Sequence, residues 1–452
     1  MSRCNQNFAV QVALIFPYFL LKSPHQTCLA MAIVIVGGGI IGTATAYYLC
    51  ESHSNPSSIH IVESAPRLFA SASGYAGGFL AKDWFSAPVA PLGRLSFNLH
   101  RQLAQEYHGQ KRWGYAPSTA LSLAIDEGRS VVRGEEWLLE GTSRAGVSAA
   151  AGEEDMLRED GTPDWLTKQK GGILETIGSA DGCAQVEPRQ LCEFLMEKCR
   201  EKGVQLHMPA RATGVVRGED GTLNGIVVQN DETNRPATIE CKSIILAAGA
   251  WTPSAFTQLF PESKLNIPIS PLAGHSINVR SPRHTLVNEE RYGRCHAIFA
   301  APSRDWSFAP EAISRMGGEI FVGGLNSETI PLPRLATDTK IDPKAMEELK
   351  KVTVKLVGLA APDGEEISKD DLEVTREALC FRPVTRNGTP ILTRIEDKRL
   401  GDSIKMAKGG GVYVAAGHGP WGISLSLGTG KIMAEMVQGA KTSVRVDGLG
   451  WG

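Results

Sequence analysis

Two side chains in the stretch CFRPVTRNGTPIL, residues 380–392, have the chemistry of an active site. Arg382 carries a planar guanidinium that stays charged and pairs with a carboxylate through two parallel hydrogen bonds. Its plainer role is structural, bonding loop carbonyls. Cys380, two residues earlier, carries a thiol. Free cysteines are commonly buried as small apolar groups, which is the alternative to a reactive sulfur. A second turn, GHGPWG at 417–422, brings together Gly417, His418, Gly419, Pro420, Trp421 and Gly422, with Ile423 next. His418 could place a positive charge there or act on a substrate, and in the plainer reading only its backbone works. Trp421 lines a pocket or fills an interface. His275, in PISPLAGHSI at 268–277, is a further candidate, although a lone histidine is more often structural.

These groups need a scaffold, and a nucleotide-binding unit is legible near the start. AIVIV at 32–36 is short, apolar and β-branched, the pattern of a central parallel strand. GGGIIG follows at 37–42, then a helical segment over 43–53, then a second strand, IHIVE, at 59–63. In such a βαβ unit Gly37 makes the tight turn, Gly39 lets the backbone approach a diphosphate, and Gly42 lets helix and strand pack closely. Ile40 and Ile41 stand at the helix start, whose free N–H groups and positive dipole end suit that diphosphate. Glu63, ending the second strand, can accept hydrogen bonds from ribose hydroxyls. The chain has no second GxGxxG, so no separate nicotinamide domain is expected.

The 452 residues suffice for two or three domains. A hydrophobic content of 42% with 21% charge is ordinary for a globular protein. A net charge of −2 gives no support to a nucleic-acid or anionic-membrane partner. Nine scattered cysteines form no C-x-x-C. That argues against zinc and dithiol sites, against a flavin disulfide reductase, and for a reducing compartment. The apolar run 8–21 is too short to span a bilayer comfortably. It resembles a signal-peptide core, or a weak interfacial anchor, or lies upstream of a true start at Met31. The last is preferred, because a buried strand begins at Ala32. The cytoplasm or another intracellular compartment is expected, with the secretory pathway as the alternative if residues 1–30 are a real signal or anchor.

Further along, 96–109 reads as helix, and 140–170 as an acidic, glycine-rich surface segment. Residues 187–203 form an amphipathic helix, with Leu191, Phe194, Leu195 and Cys199 on one stripe and Gly203 closing it. A strand at 204–208, a hairpin over 213–230 around an Asp-Gly turn, and a buried strand in 241–253 follow. Residues 267–325 read mostly as β, 342–357 as helix, and 411–439 as strand, glycine-rich turn and helix.

Taken together, these motifs resemble the FAD-dependent D-amino-acid oxidase, glycine oxidase and sarcosine oxidase superfamily, the DAO family. The resemblance is carried by IVIVGGGIIGTATAYYL with IHIVE, by SASGYAGGFLA, by SIILAAGAWTP, and by CFRPVTRNGTPIL with GVYVAAGHGPWGISLSLGTGKIMAEM. It implies an α/β fold in which a discontinuous Rossmann-like FAD-binding domain (31–95, 181–255 and 370–445) carries an inserted mixed β-sheet substrate domain (96–180 and 256–369). It implies that Ser73 and Gly74 lie along the flavin, that Arg211 and Ala212 contact adenine, and that Ala248 and Gly249 approach the cofactor. By the same resemblance Arg382 grips a substrate carboxylate, and Cys380 occupies the position that in some members bonds covalently to the flavin. The 417–422 turn would stabilise negative charge on reduced flavin. The implied activity is oxidation of a C–N bond of a small amine or amino acid to an imine, with O2 as the usual final acceptor. No lysine of the oxygen-activating kind is identifiable. A dehydrogenase of specialised metabolism, or a flavoprotein acting mainly in interaction or trafficking, are the competing functions. The substrate, the oligomeric state and membrane association are not legible.

Overall fold

The computed structural model describes residues 31–125, 163–169, 171–285, 293–303, 306–359 and 370–451. The apolar run 8–21 and most of the 140–170 segment lie outside these. The chain begins with β1 (Ala32–Val36), α1 (Ile40–Ser52), β2 (Ile59–Val62), α2 (Ala72–Tyr75), β3 (Phe79–Ala81), α3 (Ala90–Glu106), α4 (Gly109–Trp113) and β4 (Ala116–Ala124). It continues with β5 (Ile173–Gly178), β6 (Cys183–Gln185), α5 (Pro188–Glu201), β7 (Gln205–His207), β8 (Ala210–Arg217), β9 (Thr222–Asn230), β10 (Pro236–Leu246) and α6 (Thr252–Leu259). Then come β11 (Ser270–Arg280), β12 (Cys295–Ala300), β13 (Glu311–Ser314), β14 (Glu319–Ser327), α7 (Pro343–Val357) and β15 (Glu373–Val384). The last elements are β16 (Ile391–Ile395), β17 (Lys405–Met406), β18 (Gly411–Ala416) and α8 (Gly422–Val437).

Two sheets organise these elements. In the first, the order is β16-β18-β10-β1-β2-β7, with β1, β2, β7, β10 and β18 parallel to their neighbours in that group. The long β10 serves two layers. Its first half pairs antiparallel with β9, and its second half pairs parallel with β1. β8 and β9 form the expected hairpin, with Gly221 at φ +81°. The second sheet runs β15-β11-β14-β13-β12-β4-β6-β3, with β5 beside β4. It is largely antiparallel, and β12 runs parallel to β4.

The apolar run of β1 is buried on both faces, as its β-branched residues require. α1 is buried almost all round, because it packs on the sheet side against β2 and on its other flanks against α5 and α8. α8 is equally apolar for the same reason. The predicted stripe of α5 is buried at Leu191, Phe194, Leu195 and Cys199, and Gly203 follows it at φ +96°.

Three features differ from the sequence reading. α3 begins at Ala90, earlier than expected, and packs on α8 through the same core as α1, although 96–180 reads as substrate domain. β3, β6 and β15 pair in the second sheet, although their segments read as nucleotide domain. Strand pairing across chain-distant segments decides membership here, and local pattern carries no trace of it. Trp165 and Leu166 are core residues rather than surface ones, packed with α7 residues such as Leu349 and Leu356.

The α1–α8 contact is close because Gly430 has no side chain: a Cβ there would stand 2.5 Å from the carbonyl carbon of Ala44. Gly430→Ala should lower stability by about 1–3 kcal/mol through overpacking, read as an earlier unfolding midpoint in urea. An unchanged midpoint would show that the helices separate at no cost.

Candidate functional site

A cavity of about 400 Å³ lies among the C-terminal ends of β1, β2 and β10, the 69–79 segment, and β13, β14 and β15. Its walls gather most of the residues singled out in the sequence.

One end is built for a diphosphate and a ribose. Gly37 adopts φ +113° beneath Ala247, and a Cβ there would lie 2.5 Å from the Ala247 carbonyl oxygen. Gly42 does not line the cavity. It is the packing glycine, since a Cβ would meet Gly37 O at 2.1 Å. Gly39 precedes α1 without any side-chain cap, and the Ile40 N–H donates to Ser73 Oγ at 2.9 Å. Ile40 and Ile41 both face the cavity. Glu63 accepts the Gly38 N–H at 2.9 Å and the Ala65 N–H at 2.8 Å. Burial pushes its carboxyl above the usual carboxylate range, against the pull of these N–H groups. Arg211 and Ala212 also line the wall, and Arg211 is held by Asp231 through Nε at 2.8 Å. Ala248 and Gly249 line it as well, with Gly249 at φ +55°.

The other end carries Cys380 and Arg382 on β15. In the register with β11, Cys380 stands opposite Gly274 and Arg382 opposite Leu272. Arg382 therefore shares a face with Gly274, and its guanidinium lies across that glycine. A Cβ on Gly274 would fall 1.8 Å from Arg382 Nη1. Arg382 Nη1 donates to Asn326 Oδ1 at 2.6 Å. Its other N–H donors have no acceptor among the described residues, so the structural alternative of loop-carbonyl bonding is not what is seen. Cys380 is buried, and burial raises its thiol pKa, against Arg382 and Arg376.

His418 lies at the cavity wall, fully buried. Its Nε2 meets Thr429 Oγ1 at 3.0 Å, and its Nδ1 has no partner. Burial pushes its pKa down to about 3. This favours the plainer reading, in which the ring brings no positive charge: an imidazolium this deep would be unsolvated and unpaired. Gly419, Pro420, Gly422 and Ile423 line the wall. Gly417 and Trp421 do not. Gly417 turns the chain at φ +81°, and the Trp421 ring packs on Phe85 and Trp84 at centroid distances of 5.0 and 6.4 Å. Gly74 is also off the wall and packs on Phe69 O. His275 is structural: its Nε2 accepts the Asp342 N–H at 3.2 Å, at the start of α7.

Several site residues escaped the sequence reading. Gly274 and Asn326 shape and hold Arg382. Arg315 and Arg376 hold the 74–78 turn, of which Ala76, Gly77 and Gly78 line the cavity, and Glu187 pairs with Arg315. An arginine in SRMGG reads as a surface charge, and only the tertiary fold buries it.

The walls fit FAD on observations independent of motif. The Gly37 cradle has no room for a Cβ, the N-cap residue Gly39 has no side chain to cap the helix, and the buried Nδ1 of His418 is unpartnered beside the cavity. Gln in place of Glu63 should weaken ADP binding about ten- to hundredfold, the scale of a hydrogen bond to a charged acceptor. Equal ADP affinity in Glu63→Gln by calorimetry would remove Glu63 from the nucleotide site.

Comparison with known proteins agrees with this geometry. Residues 32–436 match the family model described as FAD dependent oxidoreductase, DAO. Two fungal relatives carry names that propose an oxidoreductase. The one from Schizosaccharomyces pombe is 28% identical over 92% of this chain and 96% of its own. The one from Saccharomyces cerevisiae is 25% identical over 92% and 93%. Among solved structures, glycine oxidase from Geobacillus kaustophilus superposes with a TM-score of 0.66 at 22% identity, over 92% of this chain and 97% of that one. L-proline dehydrogenase from P. horikoshii gives 0.65 at 16%, over 92% and 96%. The chain belongs to the FAD-dependent oxidoreductase family known as DAO.

Proposed function

We propose that this FAD-dependent oxidoreductase oxidises the C–N bond of a small amino acid to an imine. The observation that carries the reading is Arg382, a guanidinium laid over Gly274 at the cavity wall, with most of its donors unused by protein. Solved neighbours include proteins named as acting on glycine, proline and iminodiacetate, all carboxylates with an adjacent C–N bond. They support the reading.

When bound, FAD supplies a two-electron acceptor for the hydride leaving the carbon next to nitrogen, after which the imine hydrolyses in water. The chain's part is orientation. Arg382 takes the carboxylate in a bidentate grip, and this fixes the reacting carbon relative to the wall. Phe321 and Ile313, beside Gly77, add apolar surface to the cavity wall, of the kind that excludes water. His418 enters as a neutral ring. It can exchange a hydrogen bond through Nδ1, but it carries no charge to the site. We take O2 as the final acceptor, and hydrogen peroxide release separates this from a dehydrogenase.

Three outcomes test the reading. Under anaerobic conditions, one or more members of a panel of primary and N-methyl amino acids should bleach the flavin. Arg382→Met should lower kcat/KM for that substrate by roughly 10²–10³-fold, as expected for loss of a buried charge partner. Gly274→Ala should act in the same direction by displacing the guanidinium. No bleaching by any member would overturn the function. Equal kcat/KM in Arg382→Met would overturn the role of Arg382.

The flavin is held without a covalent bond in this reading, because burial keeps Cys380 a neutral thiol, the weakly nucleophilic form. After acid precipitation the yellow colour should leave with the supernatant. A yellow pellet that turns colourless in Cys380→Ala would instead establish a thioether.

A further inference from the structure

Arg315 is 1% exposed, on the turn between β13 and β14, and does not line the cavity. A guanidinium so deep must be paid back by its contacts. Its Nη2 donates to the carbonyl oxygens of Ala76 at 2.6 Å and Gly77 at 3.1 Å, and its Nε to Gly77 O at 3.3 Å. Its Nη1 faces Glu187 Oε1 at 3.5 Å. Glu187 is itself fixed, because its Oε2 accepts the Gln190 N–H at 2.7 Å and so caps α5. The guanidinium carbon lies 5.3 Å from the centroid of the Phe321 ring, a cavity-wall residue.

Arg376 does the same one step earlier. Its Nη1 donates to Gly74 O at 3.4 Å and its Nη2 to Asn278 Oδ1 at 3.2 Å. The Tyr75 ring stands 5.4 Å from the Arg376 guanidinium and 5.5 Å from that of Arg189. The turn after α2 thus has the carbonyls of Ala76 and Gly77 drawn towards the buried Arg315, with Gly77 O also taken by Gln185 Nε2 at 2.7 Å, and that of Gly74 towards the half-buried Arg376.

A trans peptide is planar and sets the carbonyl of one residue opposite the N–H of the next. With the Ala76 and Gly77 carbonyls on Arg315, the N–H groups of Gly77 and Gly78 point away from it. Gly77 and Gly78 line the cavity. Neither N–H has an acceptor among the described residues. Adjacent backbone donors on a cavity wall, with a buried cation behind them, are suited to a ligand that gains negative charge.

We propose that Arg315 is a positioning residue that aims the Gly77 and Gly78 N–H groups at the flavin, so that reduced, anionic flavin is held more tightly than oxidised flavin. The role rests on FAD occupying this cavity. In the purified holoprotein, Arg315→Met should reduce the preference for reduced over oxidised flavin about tenfold, a fall of about 30 mV in the two-electron midpoint potential. Arg315→Lys keeps the charge without the fork and should fall between Arg315→Met and the native chain. Circular dichroism and the unfolding midpoint report the fold separately. Native potentials in both variants, with or without a lower unfolding midpoint, would overturn the proposal and leave Arg315 a structural residue. Should Arg315→Met fail to fold, Arg315→Lys decides alone, and a native potential there overturns it. A native chain that holds no flavin would overturn both this role and the FAD reading, and that shows before any variant is made.

Discussion

A guanidinium can lie flat across a neighbouring strand only where that strand presents no side chain. Gly274 meets this condition for Arg382, and the register of β15 on β11 brings the two onto one face. The arrangement links sheet to chemistry directly. A one-residue slip would turn Arg382 to the opposite face of the sheet and bring a side chain beneath it. Asn326 on the next strand, β14, then fixes the guanidinium from its far side. The glycine-rich turn after β1 lies at the other end of the same cavity, and the buried His418 lies on its wall.

Two buried groups near the cavity handle charge differently: Arg315 stays a cation and His418 is held neutral. Arg315 tolerates burial because carbonyls, Glu187 and an aromatic face surround it, although its pKa is drawn down to about 10 by desolvation. His418 has one hydroxyl partner and no anion, so it loses its proton instead. A guanidinium that does not titrate near neutral pH, such as Arg382 on the wall, would suit the carboxylate proposed for it. Cys380 follows the same logic, as burial favours its uncharged thiol.

Much of this was legible in residue pattern. Gly37, Gly39, Gly42 and Glu63 carry spacing set by the geometry of one βαβ unit, so local sequence suffices for them. Arg382 and Cys380 were legible because they sit in one short stretch. Gly274, Asn326, Arg315 and Glu187 were not, since their roles depend on pairing between segments far apart in the chain. Trp421 and His418 show a second limit. The turn was correctly located, but the direction of each side chain depends on what packs against it: Phe85 and Trp84 for one, Thr429 for the other. The membership of β3, β6 and β15 in the second sheet is hidden for the same reason.

The most direct measurement is a titration of the FAD-loaded protein with benzoate, an unreactive carboxylate, followed in the visible spectrum of the flavin. A saturable spectral change that disappears in Arg382→Met is expected if a carboxylate binds at Arg382 beside the flavin. A spectrum that ignores benzoate, in a protein whose flavin is still bleached by an amine without a carboxylate, would contradict it.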